Sequence, residues 1–202
     1  MNNLPSTPNV GTAIKPRRQG VPWRLLTALA VAAVMGTFAA TVGAKDFLKI
    51  RARDECDPAT FGPRCFGSNT GEVTLQEFSD ALPNGGHEDW KFNPGISGNH
   101  VDAGGMIQVR SEGGVGHTFT RVAEFGGGRV TALNVAVGNA PTVPECVPPS
   151  TPGANSVSIP VLQDSVQNFA AGTSPLFPPG SHRYQCCIHP WMRTTITVRG
   201  RH

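Results

Sequence analysis

Apolar and polar residues alternate with period two along much of the second half of the chain. Trp90 and Phe92 flank Lys91, Ile107 and Val109 flank Gln108, and Phe119–Val122 and Thr195–Val198 read the same way. Successive side chains of a strand point to opposite faces, so this pattern predicts strands with one buried face. Gly and Pro clusters separate these runs, and β-branched residues are well represented in them. Several short strands between turns predict an all-β, antiparallel sandwich over residues 86–202.

Upstream the pattern differs. Thr74-x-x-Glu77 ahead of Phe78 and Leu82 has the form of a capping box, predicting one short helix ended by Pro83-Asn84-Gly85-Gly86. The rest of residues 45–85 reads as a polar, turn-rich connector. Leu25 to Ala44 carries no charge, with basic residues ahead of it and Val42-Gly43-Ala44 at its end. That layout fits first a secretory signal cleaved after Ala44, and second a retained N-terminal helix long enough to span a bilayer. Either places the remainder outside the cytoplasm. Residues 1–24, with Pro, Asn and Gly throughout, read as a basic region without order. Arg17-Arg18 is followed by Gln-Gly-Val-Pro, a poor match to a twin-arginine signal.

Net charge changes little. The chain has 17 basic and 14 acidic residues, but four of the basic ones lie ahead of the apolar stretch, so the remainder is close to neutral. No Lys/Arg cluster interleaved with aromatics is present, which argues against nucleic acid.

Candidate chemistry is concentrated in YQCCIHPWM, residues 184–192. A thiol at Cys186, an imidazole at His189 and a thioether at Met192 follow one another at three-residue steps. A soft thiolate, a borderline imidazole and a weak sulfur donor on one short loop suit copper cycling between Cu(I) and Cu(II). One further histidine completes a His2Cys set with an axial Met, and GVGHTFTRV supplies it at His117. Using Cys187 instead leaves one residue between Cys and His and swaps the strand face before the loop. His87, His100, His182 and His202 read as solvated side chains. Asp102, Glu112 and Glu124 read as surface charges, with no carboxylate pair suited to acid–base catalysis.

This ligand pattern, with DWKFNPGISGNHVDAGGMIQVRSEGGVGHTFT upstream, resembles that of the cupredoxins, and Cys-x2-His-x2-Met is similar to the short loop of amicyanin. The resemblance covers about Gly86 to His202 and implies a Greek-key β-sandwich holding one copper per chain through His117, Cys186, His189 and Met192. It implies a carrier of single electrons between redox partner proteins, exchanging them at the His189 edge, with no small-molecule substrate. Many cupredoxins carry an Asn ahead of the first His, where Ser111 stands here. Serine is shorter, so hydrogen bonding around the thiolate is expected to differ. Trp191 fits an apolar docking face or ordinary packing equally well.

Multicopper oxidases need paired His-x-His motifs, absent from this chain. A binuclear copper site needs two cysteines four apart, whereas Cys186 and Cys187 are adjacent. Catalysis by the chain is therefore not expected. The alternative is a copper-binding or delivery protein, which favours exchangeable ligands and Met- or His-rich tracts; with four Met and no tract, the chain offers little for it. A metal-free structural module is the third reading. Five cysteines leave one over, and assigning Cys186 to copper frees four for two disulfides in an oxidising compartment. Cys56 with Cys65 is the local pairing, leaving Cys146 with Cys187. Residues 141–156 are too rich in Pro for a central strand and read as an ordered loop, pinned through Cys146.

Overall fold

The computed structural model describes residues 45–138, 140–147 and 157–200. The proposed signal or anchor at 25–44, the region ahead of it, residues 148–156 and His202 lie outside them. Among the described residues no helix is long and apolar enough to cross a membrane.

Among the described residues nine strands form the body: β1 (Phe47–Arg53), β2 (Lys91–Asn93), β3 (His100–Asp102), β4 (Met106–Glu112), β5 (His117–Val122), β6 (Ser158–Val161), β7 (Val166–Ala170), β8 (Gly180–Gln185) and β9 (Arg193–Arg199). They make a four-stranded sheet ordered β2-β1-β4-β7 and a five-stranded sheet ordered β3-β9-β8-β5-β6. The described residues also carry three short α-helices, α1 (Pro58–Phe61), α2 (Leu75–Ala81) and α3 (Thr131–Ala136).

The expected sandwich is present, with two differences. β1 pairs parallel to β4 and β3 parallel to β9, so both sheets are mixed where antiparallel pairing was expected. Alternation reports which face is buried and carries no information on the direction of the neighbouring strand. The second difference is that β1, read from sequence as part of the 45–85 connector, lies between β2 and β4 in the first sheet. Its sequence, FLKIRAR, does alternate: Leu48, Ile50 and Ala52 point inward while Lys49, Arg51 and Arg53 do not. In register, these three face Ile107, Val109 and Ser111 of β4.

Trp90, Phe92, Phe119, Phe177 and Tyr184 fill the space between the sheets, each no more than 2% exposed. Phe119 stacks on Tyr184 with centroids 4.8 Å apart, and the Tyr184 hydroxyl donates to the Leu176 carbonyl at 2.8 Å. Burial pushes the Tyr184 phenol above its usual range. The predicted helix is α2: Thr74 Oγ1 accepts from Glu77 N–H at 3.2 Å and Glu77 Oε2 accepts from Thr74 N–H at 2.8 Å, a complete capping box. Asp102, read as a surface charge, instead accepts from Lys45 N–H at 2.9 Å and from Arg199 Nε at 2.8 Å, tying β3 to β9.

The inward and outward faces of β1 differ in what they contribute. Truncating Ile50 to Ala removes buried methyl groups and is expected to cost about 2–5 kcal/mol. Its neighbour Lys49, in a half-exposed ion pair with Glu112, is expected to cost less than about 1 kcal/mol when cut to Ala. Urea unfolding of both variants checks this, and similar costs would contradict the assigned face of β1.

Candidate metal centre

His117 opens β5, and the ligand loop runs from the end of β8 to the start of β9. β5 and β8 are neighbours, pairing Thr120 with Gln185, so both segments reach the same end of the sandwich. Cys187 N–H donates to Thr118 Oγ1 at 2.7 Å, stitching the loop to β5. Cys186 N–H donates to the Met192 carbonyl at 3.0 Å, and Met192 N–H to the His189 carbonyl at 3.0 Å. The loop is thereby folded back on itself.

These constraints gather His117 Nδ1, Cys186 Sγ and His189 Nδ1 within 4.8 Å of one another. Sγ lies 3.9 Å from each Nδ1, and the two Nδ1 atoms are 3.2 Å apart. All three residues are buried. Met192 is wholly buried at the end of the loop. His87, His100 and His182 stand apart from this group: the first packs on Trp90 at 5.4 Å, and the other two lie against the carbonyls of Gly98 and Pro179.

Cys187 is joined to Cys146 and Cys56 to Cys65, leaving Cys186 as the free thiol. The Cys187 register is thereby removed, and the expected pairings are present. The first bridge also pins the 141–147 segment against the ligand loop. Three backbone N–H groups, of Thr118, Ile188 and His189, point at Cys186 Sγ, each at 3.4 Å. Ser111 is not among these partners; its hydroxyl lies 3.5 Å from the Gly113 carbonyl.

Burial raises the Cys186 pKa, but hydrogen bonds and charge from His117 and His189 overcome it and hold the thiol well below its usual value. Burial likewise opposes charge on His117, yet its bonds to Asp54 and to Cys186 raise it to about 9. Burial dominates at His189 and lowers it. Two imidazole nitrogens and a thiolate sulfur facing one another in a dry site need a cation between them. The donor set therefore fits a soft or borderline metal ion.

Two parts of the surroundings were not singled out in the sequence. Asp54, just past β1, is 1% exposed and its Oδ2 lies 2.7 Å from His117 Nε2. The inward parity of positions 48, 50 and 52 extends to 54, a signal that was available. The other is an aromatic cover. Phe78 of α2 meets His189 edge-on with centroids 6.2 Å apart, and Trp191 lies 5.5 Å from the same ring. Trp191 in turn rests on Gly86, whose φ of +101° and lack of a side chain leave room for the indole. His189 is left 8% exposed, so the imidazole edge expected to face partners is largely covered.

No protein-family model matches the chain, and no curated protein matches it. Among solved structures it is similar to a purple cupredoxin from Nitrosopumilus maritimus, at 12% identity and a TM-score of 0.36 over 74% of this chain and 97% of that one. Plastocyanin from Dryopteris crassirhizoma is 16% identical with a TM-score of 0.29, over 75% of this chain and all of that one. A blue copper oxidase from Nitrosomonas europaea is 14% identical with a TM-score of 0.33, over 79% of this chain but 40% of that one. Such distant likenesses carry no argument about chemistry.

The paired shifts have a definite consequence for pH. The raised His117 stabilises the fold fully below its ordinary 6.5 and less as pH climbs through about 9, while the depressed Cys186 stabilises fully above its ordinary 9.0 and less as pH falls. Between these values the folded pair is imidazolium and thiolate and the unfolded pair imidazole and thiol, each holding one proton. Stability of the metal-free protein is expected to be level above pH 6.5 as far as this pair decides it. Below that it should decline, since the unfolded chain gains protons first and the lowered His189 adds to the effect. Cu(II) uptake at pH 7.5 should release about one proton, from His117 Nδ1. Urea titrations across pH and calorimetry in two buffers of different ionisation heat check both; uptake without proton release would contradict the imidazolium–thiolate pair.

Proposed function

We propose that this protein is an exported mononuclear blue-copper protein that carries single electrons between redox partner proteins. The observation that supports it best is the convergence of a low-pKa thiolate and two imidazole nitrogens in one buried group. Copper held there supplies a one-electron Cu(I)/Cu(II) couple. In this reading His117, Cys186 and His189 would hold the copper, with Met192 as a further, weaker sulfur donor.

The chain's own contribution is to keep these donors from rearranging. Cys186 is fixed by its backbone bond to Met192 and by the three N–H groups aimed at its sulfur. Those bonds also withdraw charge from the thiolate, which tunes the affinity of the set. Phe78, Trp191 and Met192 exclude water from the donors. His189, whose ring is nearest the surface of the ligand group, gives the shortest way out, through the aromatic groups that cover it.

Localisation outside the cytoplasm is supported by the two disulfides, since such bonds persist in oxidising compartments. The 25–44 stretch, as signal or anchor, completes that reading. The copper-delivery alternative is disfavoured because the ligands are no more than 8% exposed, whereas metal exchange favours accessible ones.

Visible and EPR spectra of the Cu(II)-loaded protein test the proposal. An intense blue thiolate-to-copper band with narrow hyperfine splitting is expected, abolished in Cys186→Ser. Cys187→Ser should keep the band but lose stability, since it removes the bridge to Cys146. A pale, ordinary tetragonal Cu(II) spectrum from the unmutated protein sinks the proposal.

A further inference from the structure

A carboxylate wholly removed from water is costly unless several donors meet it. Asp54 is such a group. Its Oδ1 accepts from Gly114 N–H at 2.8 Å, from Val115 N–H at 3.3 Å and from Cys56 N–H at 3.4 Å, and Oδ2 takes His117 Nε2–H at 2.7 Å. Both side chains of the Asp54–His117 pair are 0% exposed. The site is built around this carboxylate. Gly113 leaves the space it occupies, for a Cβ there would overlap it, and at Gly114 a Cβ would come 2.6 Å from Cys56 Sγ. The Cys56–Cys65 bridge holds the chain just beyond Asp54.

The ring of His117 has two nitrogens, and their surroundings differ completely. Nε2 faces only Asp54, whereas Nδ1 faces Cys186 and His189. A carboxylate accepts hydrogen bonds and gives none, so it keeps the proton on Nε2 and leaves Nδ1 as the donor to a metal. It also places a negative charge directly behind one ligand ring, in a medium that screens little.

We propose that Asp54 is a positioning residue for the metal centre: it sets the tautomer and angle of His117 and, through that ring, favours the more highly charged metal state. This rests on the reading of His117, Cys186 and His189 as metal ligands. Ligand histidines backed by carboxylates are oriented and made more basic by them. Here the effect selects between oxidation states. Cu(II) gains more than Cu(I) from a more basic, charge-backed imidazole, so Asp54 lowers the reduction potential.

Asp54→Asn tests this, since it keeps the shape and an acceptor oxygen while removing the charge. Three readouts apply: the affinities for Cu(II) and Cu(I), the reduction potential, and the His117 Nε2–H resonance of the metal-free protein by 1H–15N NMR. The unmutated protein should show a slowly exchanging, deshielded Nε2–H signal, moved or lost in Asp54→Asn. Cu(II) affinity should fall about ten- to a hundredfold, with Cu(I) affinity falling less. Each tenfold loss confined to Cu(II) raises the potential by about 59 mV.

An Asp54→Asn protein that is folded, with both disulfides intact and an unchanged potential, overturns the proposal and leaves Asp54 a purely structural residue. Absence of the Nε2–H signal from the unmutated, metal-free protein overturns it as well. Should the variant not fold, that signal and Gly113→Ala decide. Gly113→Ala retains the charge but pushes the carboxylate from its place, and is expected to move the potential in the same direction. A failure of the copper reading is seen separately, as a missing blue band in the unmutated protein. Zn(II) is then the probe, with the same tenfold or greater loss of affinity expected in Asp54→Asn and equal affinity counting against the proposal.

Discussion

Three electron-rich atoms turned toward one another away from water repel, and most of what surrounds them here offsets that repulsion. The thiolate of Cys186 receives three backbone N–H groups, and His117 is backed by Asp54. Hydrogen bonds to charged groups contribute about 1.5–3 kcal/mol each, comparable to the several kcal/mol that burying one ion costs. Strands β5, β8 and β9 impose the convergence, and the bonds make it tolerable. A proton on His117 serves while no metal is bound. The protein therefore presents a set of donors already in place, which is what the proposed carriage of single electrons would require if the ligands are not to move at each transfer.

Much of this was legible in the amino-acid sequence. Period-two alternation identified strands at Trp90–Phe92, Ile107–Val109, Phe119–Val122 and Thr195–Val198, and the capping box located α2. The spacing of Cys186, His189 and Met192 pointed to one loop, and the odd thiol count left Cys186 over; taking Cys56 with Cys65 as the local pair then left Cys146 for Cys187. Alternation could not reveal that β1 and β3 pair in parallel, because strand direction leaves no mark on periodicity. It did mark β1 itself, in FLKIRAR, but charged residues on the outward face gave that segment the look of a connector. Asp54 lies in the same segment and was not singled out: nothing marks an acidic residue following two arginines as buried unless the inward parity is carried one step further. The contact between α2 and the ligand loop spans over a hundred residues, and nothing local to Phe78 or Trp191 encodes it.

The segment between β1 and β2 thus contributes at both ends. Its first residues carry Asp54 and the Cys56–Cys65 bridge behind His117, and its later ones bring Phe78 over His189. Each histidine of the group is supported by a part of the chain that lies outside the ligand loop. Gly113 and Gly86 belong to the same arrangement, since each clears the space in which a supporting group sits against the site.

The aromatic cover separates two tasks that a bare imidazole edge would combine. If His189 stood in solvent, the residue that binds the metal would also be the one a partner touches. With Phe78 and Trp191 over it, and Phe78 joined at 4.9 Å to Trp90, the surface that a redox partner would meet under the proposed function is drawn from α2 and its flanking turns as well as from the ligand loop. Under the proposed function, sequence change on the outward side of α2 would alter docking while the ligand residues stay the same. Conversely, the ligand loop can be held constant while the outside diversifies, so that recognition and ligation are free to evolve on different parts of the chain.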